Sequence, residues 1–101
     1  MASHDSFLAM VLTNAKREEA AELTLTVERE KARIEMLLPD GSRRPLSAPP
    51  CEILIKIIES LEQGQVQFAS SVYSATVEDV QVQRGVDGMV AHITRWSIEH
   101  R

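Results

Sequence analysis

Few side chains in this sequence have the type and spacing that chemistry needs. Cys51 follows Pro50 where a helix is expected to begin, and a helix N-terminus lowers a thiol's pKa, which would make it reactive or redox-sensing. The position equally suits a small buried hydrophobe at a helix–sheet seam, the commoner fate of a free cysteine. The histidines are His4, His92 and His100. A metal ligand at His92 would need convergent partners, and only His100 is near in sequence, so His92 reads as an ordinary hydrogen-bonded strand residue. Ser70 and Ser71 fall in an expected strand with no GxSxG elbow around them. Gly41-Ser42-Arg43-Arg44 and Gly85-Val86-Asp87-Gly88 lack the glycine spacing and the Lys-Ser/Thr pair of a phosphate loop. The expectation is therefore no catalytic residue, no metal site and no cofactor. What remains is contact. Arg43 and Arg44, adjacent beside a turn, suit a phosphate or an acidic partner, or simply a solvated turn. Tyr73 and Trp96 read as core or seam aromatics with a polar tip, and Trp96 joins the two arginines as a candidate interaction residue.

The composition points the same way. A chain of 101 residues is expected to form one domain over 1–101. It is 44% hydrophobic and 26% charged, ordinary for a globular chain, and its single Cys excludes an intramolecular disulfide framework. The net charge of −4 is opposite to that of a phosphate-backbone binder, so no nucleic-acid partner is expected. No run of about 18 apolar residues occurs to span a membrane, and the opening residues lack a basic then apolar secretory leader. A soluble, cytoplasmic protein is the expectation.

The elements that position these residues follow from periodicity. Ser3, Asp5 and Ser6 are candidate caps for a first helix whose apolar stripe runs over Phe7, Met10, Val11, Asn14 and Ala15, ending in the charged patch 16–19. From Ala21 the period becomes two. Leu23, Leu25 and Val27 alternate with Thr24, Thr26 and Glu28, Arg29-Glu30-Lys31 turns, and Ile34, Met36 and Leu38 line one face of a second strand. Pro39-Asp40-Gly41-Ser42 is a strong turn, followed by a short edge strand at 43–46 limited by Pro45. Ser47 is a candidate cap for a second helix with Ile53, Leu54, Ile57, Ile58 and Leu61 on one face and Gly64 as its stop. Extended structure resumes at Val66 and runs towards Tyr73, then again over 76–84. The last segment, 89–98, fits both a strand and a helical stripe through Met89, Val90, Ile93 and Trp96; its β-branched residues and preceding turn favour the strand. The fold expected is α+β, a two-layer sandwich of five or six antiparallel strands with two helices on one face, in the order α-β-β-β-α-β-β-β.

That order, with its motifs, resembles a known family. Ala20-Ala21-Glu22-Leu23-Thr24, the strand ending Leu38-Pro39-Asp40-Gly41, the Ser47-Ala48-Pro49-Pro50 segment with the helix after it, and the Val80-Gln81-Val82-Gln83-Arg84 hairpin are similar to the domain preceding the motor in the ATPases of type II secretion and type IV pilus assembly. The resemblance covers residues 7–96 and implies a PAS-like antiparallel sheet with flanking helices. The family's phosphate-reaching arginines fall here at Met36 and Leu38, and its strand histidine at Thr24, so nucleotide sensing is not carried over. The sequence ends where the family's RecA-like motor would begin, so ATP hydrolysis is not expected. The resemblance implies a non-enzymatic interaction or assembly module whose partner is a secretion or pilus ATPase component, or a second copy; if the last strand leaves an unpaired edge, self-pairing through it into a homodimer is expected. The alternative is a PAS-like sensor holding a small ligand between helices and sheet.

Overall fold

A computed structural model describes residues 4–101, so Ser3, a candidate cap, lies outside the described residues. Helix α1 spans His4–Arg17, strands β1, β2 and β3 span Glu22–Glu28, Lys31–Leu37 and Arg43–Leu46, and helix α2 spans Cys51–Glu62. Strands β4, β5 and β6 then span Gln67–Ala69, Tyr73–Arg84 and Gly88–His100. The strands form one antiparallel sheet in the order β3-β2-β1-β6-β5-β4. This is the expected α+β architecture, with six strands and the helices in the expected places.

The β1–β2 hairpin sets Glu28 opposite Lys31, so its turn is Arg29 and Glu30 alone, at φ 49° and 66°. Two successive positive φ values match the right-handed strand twist, and they make the turn one residue shorter than expected. β2 stops at Leu37. Beyond it the Gly41 N–H bonds to the Leu38 carbonyl and the Leu38 N–H to that of Ser42, with Gly41 at φ 89°. β3 is an edge, with Pro45 opposite Glu35. α2 begins at Cys51 behind Pro50, with no side-chain cap, so Ser47 does not perform that role. Its end is as expected: Gly64 adopts φ 100° and the Gln65 N–H bonds back to the Ser60 carbonyl.

The extended run expected from Val66 to Tyr73 is broken at Ser70. Its hydroxyl accepts the N–H groups of Val72 and Tyr73, and its own N–H bonds to the Tyr73 carbonyl. The last segment is a strand throughout, and it is central rather than an edge, lying between β1 and β5. The β5–β6 ladder carries an irregularity at Asp79. On one side of it the core-facing residues are Val80, Val82, Ala91 and Ile93. On the other they are Val77, Ala75, Trp96 and Ile98. Each strand thus takes a three-residue step, and the bulge re-aims Trp96 towards α1.

Both helices lie on one face of the sheet, α1 over β4, β5 and β6 and α2 over β1, β2, β5 and β6, and that face includes Leu23, Leu25, Ile34, Met36, Ala91 and Ile93. α1 contributes Leu8, Ala9, Leu12 and Ala15, and α2 contributes Leu54, Ile57, Ile58 and Leu61. Phe68 from β4 is fully buried beside them. Among the described residues no helix is long and apolar enough to cross a membrane.

Candidate interaction surface

The first helix carries more apolar surface than the core takes up. Leu8, Leu12 and Ala15 face the sheet, but Phe7 and Val11 are only half-buried and Met10 is 61% exposed. Of the stripe expected at Phe7, Met10, Val11, Asn14 and Ala15, only Ala15 is fully buried, Phe7 and Val11 pack against the core's margin, and Met10 and Asn14 are exposed. The rest of the stripe is an adjacent face, rotated by about one residue (~100°), and it lines a surface groove of about 440 Å³. Leu46 and Ser47 at the end of β3, with Thr13, Asn14, Arg17 and Tyr73, complete its lining. The Arg17 guanidinium donates to the Tyr73 hydroxyl at 2.7 Å and lies 5.5 Å from its ring centroid, and the His100 ring meets Tyr73 edge-on at 5.3 Å. The groove thus has an apolar floor with a polar, partly cationic rim. A flexible thioether such as Met10 adapts to irregular apolar shapes.

The arginines near this end of the sheet are placed differently from one another. Arg44 donates to Glu18, just past α1, at 2.8 Å, tying the β3 edge to the helix end. Arg43 is exposed and makes no ion pair among the described residues. Trp96 is 3% exposed; its Nε1–H donates to the Leu12 carbonyl at 3.0 Å, and its carbonyl accepts from Lys16 Nζ at 2.7 Å. It therefore offers almost no surface to a partner and works as the seam between α1 and β6. Sequence reasoning places Trp96 among the interaction candidates and Met10 only on the apolar stripe of the first helix. The signal for Met10 was present, because α1 has apolar residues on more than one stripe.

The other candidates are dispersed. Cys51 is half-buried as the first residue of α2. On the open face of the sheet, His92 Nδ1 sits 3.4 Å from Thr24 Oγ1 and 3.6 Å from a Glu22 carboxylate oxygen. Ser70 is committed to its turn. Among the described residues no group of three His, Cys, Asp or Glu could hold a metal ion. Two exposed carboxyl groups are shifted. Hydrogen bonds from the Ser42 hydroxyl and N–H hold Asp40 below the usual range, and the Arg84 hydrogen bonds do the same for Glu62. Both shifts come from structural contacts. No protein-family model and no curated protein matches the chain.

Proposed function

We propose that this chain is a non-enzymatic protein-interaction module of a cytoplasmic secretion or pilus machine, similar in role to the domain that precedes the motor in its ATPases. The observation that carries this reading is the second apolar face of α1, left open above the groove lined by Phe7, Met10, Val11 and Leu46. An apolar floor with a polar rim suits a short amphipathic segment of a protein partner. The antiparallel sheet with two helices against it supports the PAS-like expectation. So does the closed turn at Asp40-Gly41, the motif on which the resemblance is strongest. Met36 is buried and Leu38 half-buried in place of the family's arginines, which supports contact rather than nucleotide sensing.

The same groove favours the second reading, a small-ligand sensor, because its volume falls within the range of small-molecule sites. The space between helices and sheet is taken by Phe68, Leu54, Ile57, Ile58 and Ile93, all fully buried. A ligand would thus sit in the surface groove rather than inside. Calorimetric titration of the chain with purified secretion and pilus ATPases separates the readings. The module reading expects saturable binding that Met10→Asp weakens at least about tenfold, through a charge placed on an apolar contact. Absence of binding to these ATPases, or binding indifferent to Met10→Asp, overturns it.

A further inference from the structure

The sheet has three stretches of edge, and they are not equally protected. β3 carries Pro45 and two arginines, the devices by which sheets discourage further pairing. β4 is three residues long. β5 is different. β4 covers it only at residues 74–76, flanked by one bond at each end, from the Ser70 N–H to the Tyr73 carbonyl and from the Val77 N–H to the Val66 carbonyl. Residues 78–84 have no backbone partner on that flank among the described residues. This stretch reads Glu78-Asp79-Val80-Gln81-Val82-Gln83-Arg84, without Pro, Gly or Lys; its charges and the irregularity at Asp79 lie at its ends, which leaves Val80–Gln83 regular and uncharged.

The direction of its free groups can be worked out. The Gly85 N–H bonds to the Gly88 carbonyl across the hairpin, so alternation turns the main chain of Gln83 and Gln81 towards β6. The N–H and C=O groups of Val80, Val82 and Arg84 then point out of the sheet. We propose that this edge pairs antiparallel with the same edge of a second copy, about a two-fold axis at Gln81. The proposal rests on the interaction-module reading and names one partner for it.

The sequence of the edge selects this partner and this register. A two-fold contact must be self-complementary. Centring it on Gln81 sets Val80 opposite Val82 of the second copy, twice over, as hydrogen-bonded pairs. Gln81 faces its own copy as a non-hydrogen-bonded pair. Asp79 faces Gln83, and beyond it the irregularity between Val77 and Val80 ends the regular ladder, with acidic Glu78 and Asp79 near basic Arg84 of the second copy. Centring on Val82 instead would set apolar Val80 against Arg84. Arg84 has capacity for the acidic pair, since its Nε and Nη2 hold Glu62 while Nη1 makes no hydrogen bond among the described residues. Two six-stranded sheets would join into one continuous sheet, with Val80 and Val82 extending the apolar face on the helix side.

The test is sedimentation equilibrium of the full chain over a concentration series. The native chain is expected to reach twice the mass of one chain. Val82→Pro removes an outward N–H without touching the β6 ladder, so it should keep its circular dichroism and weaken the dimer at least about tenfold. Register is read by cross-linking in a Cys51→Ser background. Non-hydrogen-bonded partners lie about 4.5 Å apart at Cα, within disulfide reach, so Gln81→Cys should cross-link on mild oxidation. Gln83→Cys should not, because the two copies of residue 83 would be about 13 Å apart. A native chain that stays monomeric, a Val82→Pro chain that stays fully dimeric, or equal cross-linking at 81 and 83 overturns the proposal. Met10→Asp lies away from this edge and should leave the mass unchanged. Failure of the groove reading and failure of the edge reading are thereby told apart.

Discussion

Replacing Trp96 by Phe tests how α1 is fastened to the sheet. The indole is buried, its N–H reaches the Leu12 carbonyl at 3.0 Å, and Lys16 Nζ lies 5.4 Å from the ring centroid. Phenylalanine keeps an aromatic face for Lys16 but loses the N–H and the fused part of the ring. The lost hydrogen bond contributes about 1 kcal/mol. Two missing ring carbons, each treated as a buried CH₂ group, add ~0.8 kcal/mol apiece. The expected loss is about 2–3 kcal/mol, which for a domain of this size lowers Tm by roughly 10–20 °C. Urea unfolding followed by far-UV circular dichroism measures it directly, with the slope m expected to stay constant. A loss under about 1 kcal/mol would mean that α1 is not anchored through this ring, and would refute the reasoning.

Other positions give equally direct tests. A Cβ added at Gly88 would run into the Val27 carbonyl on the neighbouring strand, so Gly88→Ala should destabilise by about 1–3 kcal/mol in chemical denaturation; a neutral result contradicts the β1–β6 register. Glu30 holds φ 66° in the two-residue hairpin, so Glu30→Gly should raise stability by about 1 kcal/mol, seen as a higher Tm. Asp40 and Glu62 both have folded-state pKa values below their unfolded ones. The unfolded chain therefore binds more protons, and their contribution is present above the unfolded pKa and lost as pH falls through the folded one. Unfolding midpoints measured from pH 7 down to pH 3 should decline in the acid limb, and Glu62→Gln should flatten part of that decline.

Much of the fold was legible because its signals are local. Leu23, Leu25 and Val27 alternate, Asp40-Gly41 turns, and Gly64 stops α2 in the conformation that only glycine adopts cheaply. The ambiguity of the last strand also has a structural origin. The bulge at Asp79 makes β6 step three residues between core-facing Ile93 and Trp96, and three-residue spacing within a strand imitates a helical stripe. Which stripe of α1 would be buried was not written locally. Leu8, Leu12 and Ala15 compete with Phe7, Met10 and Val11, and the choice is made by where Trp96 and Phe68 stand. The groove was hidden for that reason. Arg44 likewise meets Glu18 across the fold, a pairing that no spacing along the chain announces. The β5 edge was missed because it depends on how far β4 reaches along its neighbour.

The central claim is that a filled two-layer body works through its surface. Backbone and methyl chemical-shift mapping on the labelled chain, titrated with a purified secretion or pilus ATPase, tests it most directly. The account predicts that shifts cluster at Phe7, Met10, Val11 and Leu46, with interior residues such as Phe68, Leu54 and Ile93 unmoved. Shifts centred on those interior residues, or none at the groove under saturating partner, would contradict it.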